Sequence, residues 1–395
     1  MLATTTLPGV RAATCHPSNL AADDVAVWRA MIAAEPAFAN PLLGPDFAQA
    51  VGAVRPEASV TVWRGADGAP VAFLAHQKAQ GGVARPIAGP MSDYQALISR
   101  REDRLGGGHL LSVAGLAAWR YTALIDPHGV FARPGVEHEA HRIVLDAPTD
   151  AAAADYLEAI RAASAKKFKN YRRLGHALER EVGELRMVAP DDSTAAFDQL
   201  MTWKREQLAR TGVFDFLGPV WTNLLLQTMF DRREGDFRGL MIGLYAGDRL
   251  VAGQFGVRQG DYFHPWIASV DPEMSAWSPG QLFLTRAIEA MPELGLRAYD
   301  LGPSHDHYKR PYALTQVMVG EGAATARSAA GWINSAVEDA WTLAGGRRGG
   351  VVGKVRRRLD AIATTETTAS GRVRGLAAAA ASLARPKRRG GAEQP

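Results

Sequence analysis

Two stretches about 180 residues apart share one layout of strand, tight polar turn and strand: VTVWRGADGAPVAFLAHQ at 60–77 and LMIGLYAGDRLVAGQFGV at 240–257. In each, a β-branched and aromatic run meets a short turn, Ala66-Asp67-Gly68 in one and Ala246-Gly247-Asp248 in the other, where glycine supplies the positive φ that such turns need. The likeness is one of pattern rather than identity. Its interval is that of a duplicated domain and far exceeds the roughly 20–50 residues of a solenoid unit. At 395 residues the chain has the length for two domains and a remainder.

The flanking segments divide accordingly. VAVWRAMIAA (25–34) predicts a helix, SVTVWRG (59–65) and PVAFLAHQKA (70–79) a strand pair, and the Gly/Pro-rich stretch 80–108 loop and helix ends. WRYTALID (119–126) and HRIVLDAP (141–148) read as strands joined by PGVEHEA. From Asp150 good helix formers take over, and Lys166, Lys167, Lys169, Arg172 and Arg173 make a basic face. That face is either a solvated helix surface or a cradle for an anionic or glycan substrate. A strand at 184–190 and helices near 193–210 and 219–234 follow, with Asp192 or Ser193 capping the first helix. The expected organisation is a flexible leader (1–20), a first domain (21–148), a second domain (149–325) and a basic, partly disordered tail (326–395).

The net charge of +4 is unevenly spread: from Arg347 onward 12 Lys/Arg face three acids, a net of +9, which leaves −5 on residues 1–346. A basic tail on an acidic body suits attachment to something anionic rather than a nucleic-acid groove within the fold, so DNA is not an expected partner. VVGKVRRRLDAIA and VRGLAAAAASLA set apolar residues between charges, which predicts weak amphipathic helices able to lie on an anionic leaflet; a solubilising tail is the alternative. No run approaches the ~18 apolar residues of a spanning helix, and the N-terminus lacks the pattern of a secretory signal. The expectation is a cytoplasmic protein, peripheral at the inner face of the plasma membrane if the tail docks there. Arginine pairs such as Arg385 with Arg389, or Arg100 with Arg104, could stack on guanine, which would make cyclic di-GMP a regulatory ligand. Cys15 stands alone, so neither an internal disulfide nor a multi-thiolate metal site is available. The chain also lacks a Gly-x-Ser-x-Gly elbow and a Gly-x-x-x-x-Gly-Lys loop, which removes support for hydrolase and nucleoside-triphosphatase readings.

The chemistry concentrates after Val270-Asp271, in DPEMSAWSPGQLFLTRAIEAM, GLRAYDLG and PSHDHYKRPYA. A strand runs into a loop, a helix opens at Ser278-Pro279-Gly280, and a further strand follows. Ser278 is expected to cap that helix, and Pro279 suits its first turn. Gly280 leaves the backbone open to close approach, and an anion such as the pyrophosphate of coenzyme A fits the first-turn N–H groups; an ordinary cap is the plainer alternative.

The aromatic strand Tyr262-Phe263-His264-Pro265-Trp266, the Asp271-Pro272-Glu273 turn, Ser278-Pro279-Gly280, Gly295-Leu296-Arg297 before Tyr299-Asp300-Leu301-Gly302, and Tyr308-Lys309 together resemble one family. It is that of the CelD/BcsL-like acetyltransferases of cellulose and exopolysaccharide biosynthesis, related to FemAB-type tandem GNAT proteins. The resemblance covers roughly 140–320, including the basic helix KKFKNYRRLGHALERE. It implies an α/β fold of two tandem GNAT-like domains, each a mixed sheet flanked by helices, with the donor site in the second. The implied reaction moves an acetyl group from acetyl-CoA to a nitrogen or oxygen of an exopolysaccharide sugar or its lipid-linked precursor. The GNAT pyrophosphate signature Arg/Gln-x-x-Gly-x-Gly/Ala is not spelled out, and nothing like it follows WRYTALID, so the first half is expected to be degenerate. Two rival readings stay open: a FemAB-like aminoacyltransferase using aminoacyl-tRNA, and a catalytically degenerate scaffold that binds glycan or nucleotide.

Acyl transfer needs a base for the acceptor, a donor to the oxyanion and an acid for the departing thiolate. A backbone N–H on strand 262–270 suits the oxyanion. Asp300 and His264 are the first candidates for the base, with His305 and His307 behind them; a loop cap and a packed imidazole are the plainer readings. Tyr308 is assigned to protonate the thiolate, or else to act as an aromatic anchor. Ser278, Pro279, Gly280 and Gln281 are assigned to the donor, and Trp266, Asp271, Lys309, Lys169 and Arg172 to the acceptor. The run His305-Asp306-His307 lacks a distant third ligand, so no metal is expected.

Overall fold

A computed structural model describes residues 9–78, 80–131, 135–212, 214–303, 309–345, 350–366, 371–373 and 377. They form two compact units, one taking the chain up to His138, Gly218–Leu225 and the chain from Met318 on, the other Glu139–Leu217 and Leu226–Val317. The first unit contains β1 (Arg11–Cys15), α1 (Ala22–Ala34), α2 (Pro45–Val54), β2 (Ala58–Arg64), β3 (Pro70–Lys78), β4 (Val83–Pro86), β5 (Ile98–Ser99), α3 (Gly107–Val113) and β6 (Ala118–Leu124). The second opens inside β7 (Val136–Val144) and continues through α4 (Asp150–Ala163), α5 (Ala165–Glu181), β8 (Leu185–Val188), α6 (Thr194–Thr211) and the later part of α7 (Val220–Asp231). It closes with β9 (Phe237–Ala246), β10 (Arg249–Gln259), β11 (Tyr262–Val270), α8 (Pro279–Ala290) and β12 (Ala298–Pro303). The chain then returns to the first unit in β13 (Thr315–Thr325), α9 (Ala329–Leu343) and α10 (Val351–Thr365).

The repeat seen in the two hairpins extends to whole sheets. In the first unit the order is β1-β2-β3-β4-β6-β13, and in the second β8-β9-β10-β11-β12-β7. Step by step both run antiparallel three times, then parallel, then antiparallel. The hairpin turns coincide with the expected ones, with φ of +82° at Gly68 and +57° at Gly247. Each unit takes its sixth strand from beyond the other's parallel pair: β7 follows β6 in sequence but pairs with β12, while β13 follows β12 but pairs with β6.

In the second unit α4, α5 and α8 cover one sheet face, burying Phe263, Tyr299, Leu282, Phe283 and Ile288 in one core. Burying such a side chain contributes about 1.5–3 kcal/mol. On the other face α6 brings Phe197 against Phe255 of β10, with ring centroids 5.0 Å apart. Ser193 caps α6 by accepting from the Ala196 N–H at 3.2 Å, as its sequence position predicts.

Several expectations require correction. The stretch 80–108 contains β4 and β5 rather than only loop, because its short apolar runs find partners on distant strands. PGVEHEA is no connector: Val136–Ala140 belongs to β7, and Glu139 already lies in the second unit, so the boundary precedes 148. In the tail expected from 326, the amphipathic helix read in VVGKVRRRLDAIA is α10 and α9 precedes it; both are tied to β6 through ion pairs of Glu338 and Asp360 with Arg120, which composition alone does not reveal.

Candidate functional site

The parallel strands β11 and β12 pair at only two positions, Tyr262 with Ala298 and Phe263 with Tyr299. Beyond Phe263, β11 runs on to Val270 with β10 on one side and, among the described residues, no strand on the other. Along that edge the Ala268 carbonyl accepts from Lys204 Nζ of α6 at 3.4 Å, and no strand covers the other gap-facing backbone groups among the described residues. The register with β10 slips between Phe255 and Gly256, so that Trp266 is the extra residue of a β-bulge. Gly256 is required there, since a Cβ on it would run into the His264 carbonyl. Pro265 has no N–H, so the first backbone donors past the pairing belong to Trp266 and the residues after it.

The strand ends at Asp271, which is held from two sides. Its Oδ1 accepts from the Glu273 N–H at 2.9 Å, and its Oδ2 lies 2.7 Å from Arg249. These contacts fix the turn that aims α8 back at the gap. Ser278, expected to cap α8, adopts the left-handed conformation (φ +52°) and makes no side-chain cap bond. Its carbonyl instead takes the Gln281 N–H at 2.9 Å, so the first-turn N–H groups gain no side-chain cap from it. A Cβ on Gly280 would sit 3.3 Å from Val270 Cγ1, which places the start of α8 beside the end of β11. The Oε1 of Gln281 is buried without a hydrogen-bond partner among the described residues, while the Gln281 carbonyl accepts from the Tyr312 hydroxyl at 2.8 Å.

On the α6 face a polar cluster lies under the start of the gap. Asp300 is fully buried; its Oδ2 accepts from the Tyr262 hydroxyl at 2.5 Å and its Oδ1 from the Gly302 N–H at 2.6 Å. Arg142 Nε of β7 lies 3.3 Å from Oδ2, and His264 Nδ1 lies 3.9 Å away, beyond hydrogen-bond length but close enough for charge coupling. Burial alone would push the Asp300 carboxyl up, but His264, Arg142 and Tyr262 outweigh it and hold the group below the usual carboxylate range. On β7, His141 stands opposite Gly302; burial pushes its imidazole down, and its Nδ1 has no hydrogen-bond partner among the described residues. Lys309 is 9% exposed, with Nζ 4.0 Å from where a side chain on Gly302 would begin.

The structure thus gathers His264, Asp300, Trp266 and the α8 start around one gap, with Asp271 supporting its far end. Lys169 and Arg172 lie on the exposed face of α5, where with Lys166, Arg173, Arg180 and the acidic Glu179 and Glu184 they line an open groove. Tyr308, His305 and His307 lie outside the described residues, as do Arg385 and Arg389. Sequence reasoning missed Arg142, Tyr262 and His141. The signal for the first and last was two adjacent polar residues directly before the apolar run Ile143-Val144-Leu145.

The first unit carries the same frame with other contents. There β4 and β6 pair at Val83 with Ala118 and Ala84 with Trp119, so by register Arg85 and Arg120 take the places of His264 and Asp300, and Pro86 that of Pro265. Both arginines hold Asp360 of α10, at 3.3 and 2.7 Å. The helix start equivalent to α8 is also closed: Gly107 N–H donates to Val130 O at 2.8 Å, and a Cβ there would strike the Phe131 ring. An anion has no comparable access at that helix.

Residues 165–310 match the family model described as the acetyltransferase (GNAT) domain. No curated protein matches the chain. Among solved structures it is similar to the C-terminal domain (DUF2156) of a protein described as a lysylphosphatidylglycerol synthetase from Agrobacterium fabrum, at 13% identity and a TM-score of 0.45 over 80% of this chain and 96% of that one. A tandem GNAT protein from the clavulanic acid pathway aligns at 11% identity and a TM-score of 0.43 over 81% and 99% of the two chains. FemX aligns at 9% and 0.41 over 67% and 87%. The chain is an α/β protein that carries a GNAT domain over residues 165–310, and its first unit repeats the strand order of its second.

Proposed function

From the premise that the chain carries a GNAT-type acyltransferase domain over residues 165–310, we propose that it moves an acetyl group from acetyl-CoA to a sugar of an exopolysaccharide or its lipid-linked precursor. The observation that carries this reading is the parting of β11 and β12 after two paired positions, with the start of α8 at the far end of the gap. In it the pantetheine arm lies along the edge of β11 that parts from β12, and its pyrophosphate meets the first turn of α8 at Pro279, Gly280 and Gln281. The unpartnered Gln281 Oε1 suits an amide N–H of that arm. A backbone N–H at the Trp266 bulge faces the thioester oxygen and stabilises the oxyanion.

His264 takes the acceptor proton. Asp300 serves as its positioning carboxylate, because a buried carboxylate that already accepts from Tyr262 and Gly302 and faces Arg142 is a poor base. Tyr308 returns a proton to the thiolate, and Lys309 and Trp266 hold the sugar. The sugar acceptor rests on the resemblance of the 262–309 motifs. The exposed basic face of α5 favours a second reading, in which aminoacyl-tRNA is the donor.

A coupled assay of coenzyme A release and acetyl incorporation into glycan acceptors separates the two. Acetyl-CoA-dependent labelling that falls about 10²–10⁴-fold in His264→Gln supports the proposal. Aminoacyl transfer from charged tRNA with no release of coenzyme A would replace it with the second reading.

A further inference from the structure

α9 is amphipathic in the reverse sense for a surface helix. Its inward side carries Glu338, 6% exposed, which takes Arg356 of α10 at 2.5 Å and also Arg120 of β6. Asp360 of α10 adds Arg120 at 2.7 Å, Arg85 at 3.3 Å and Arg356 at 3.6 Å. Gly331 lets the helix approach closely, since a Cβ there would strike the Ala326 carbonyl. The outward side is apolar: Trp332 is 74% exposed, Ile333 66%, Val337 44% and Leu343 89%, with exposed Ala329, Ala336 and Ala340 between them. Those positions recur at the three- and four-residue spacing of one helix face, and Asp339 is the one exposed charge on α9. On α10, Val352, Val355 and Leu359 are also exposed, while Arg356 and Ile362 turn in. A soluble surface helix has the opposite polarity, and a contiguous exposed stripe of this kind marks a docking face.

The charge around the stripe says what it docks on. Arg357 of α10 is exposed, and from Arg347 the sequence bears 12 basic residues against three acidic ones. No described helix is long and apolar enough to cross a membrane, so these helices would lie on a surface rather than span it. Exposed apolar residues that include a tryptophan, in a segment whose sequence is strongly basic, match the headgroup boundary of an anionic bilayer. We propose that α9 and α10 dock the protein on an anionic lipid surface, with Trp332, Ile333, Val337 and Leu343 entering the headgroup boundary. The docking is independent of which acyl donor the second unit takes.

The test is co-sedimentation of the full chain with phosphatidylglycerol-rich vesicles and with pure phosphatidylcholine vesicles, alongside light scattering without lipid. Binding should be at least about tenfold tighter to the anionic vesicles and weaken as salt is raised. The double variant Trp332→Asp, Ile333→Asp should lose about tenfold or more of that binding while keeping the wild-type melting temperature and acetyl-CoA affinity, since both side chains are exposed. Equal or absent binding to both vesicle types, or unchanged binding by the variant, would overturn the proposal. So would a lipid-free dimer that the variant dissolves, which would make the stripe a contact between copies of the chain.

Discussion

At the scale of single residues, the site turns on one carboxylate in an apolar sheet. Asp300 offers its oxygens to Tyr262, Gly302 and Arg142, and it balances the Arg142 guanidinium, itself 8% exposed. Removing one partner of such a pair leaves the other charge buried and alone, which costs about 3–5 kcal/mol. Asp300→Ala should therefore lower stability by about that amount in denaturant unfolding, and Arg142→Met combined with it should recover part of the loss. The native carboxyl is held below its unfolded value, so the stability it contributes is complete above about pH 4 and is lost as pH falls toward the lowered native value. The stability gap between wild type and Asp300→Asn should stay flat from neutral pH down to about pH 5 and shrink below about pH 4; a gap that closes near neutrality would contradict this placing of the charge. His264→Gln belongs to the same scale but should act on turnover, with acetyl-CoA affinity within about twofold of wild type.

Among the secondary-structure elements, the decisive feature is a short pairing. β11 and β12 meet at two positions and part, and the bulge at Trp266 turns β11 where they part. Gly256→Ala would push a methyl into the His264 carbonyl, so it should cost about 1–3 kcal/mol and weaken donor binding together, measured by thermal melts and calorimetry on one preparation. Most of these elements were legible in the sequence. The hairpins around Gly68 and Gly247, the α8 start at Pro279 and strand β12 all follow from period-two runs, turn glycines and a first-turn proline, although Ser278 makes no cap bond. That two parallel strands part around the donor follows from the resemblance to GNAT proteins, but the point at which β11 leaves β12 was not legible, because pairing register is a relation between distant segments that neither strand encodes alone. Nor was the role of Arg142, whose partner lies 158 positions away in sequence and becomes its neighbour only when β7 joins the second unit's sheet.

For the whole molecule, the repeat read from two hairpins proves to be a repeat of six-stranded sheets whose last strands are exchanged. The sequence pattern could show the duplication but not the exchange, since β7 and β13 each lie outside the repeated stretch. One consequence concerns dissection. Residues 136–317 contain all six strands of the second sheet and should fold and bind acetyl-CoA as a fragment, whereas residues 1–138 lack β13, leave the edge of β6 bare and should aggregate. Soluble, cooperatively melting 1–138 would count against the exchanged-strand account. Divergence of the halves follows from residues at matched positions: Arg85 and Arg120 bind the chain's own Asp360 where the second unit has His264 and Asp300. The central claim, that the gap in the second unit is the acyl-donor site, is tested most directly by calorimetric titration of acetyl-CoA into the full chain and into Gly280→Trp. The account predicts one saturable site in the wild type that is lost in a variant whose circular dichroism is unchanged; no binding by folded wild type, or equal binding by the variant, would contradict it.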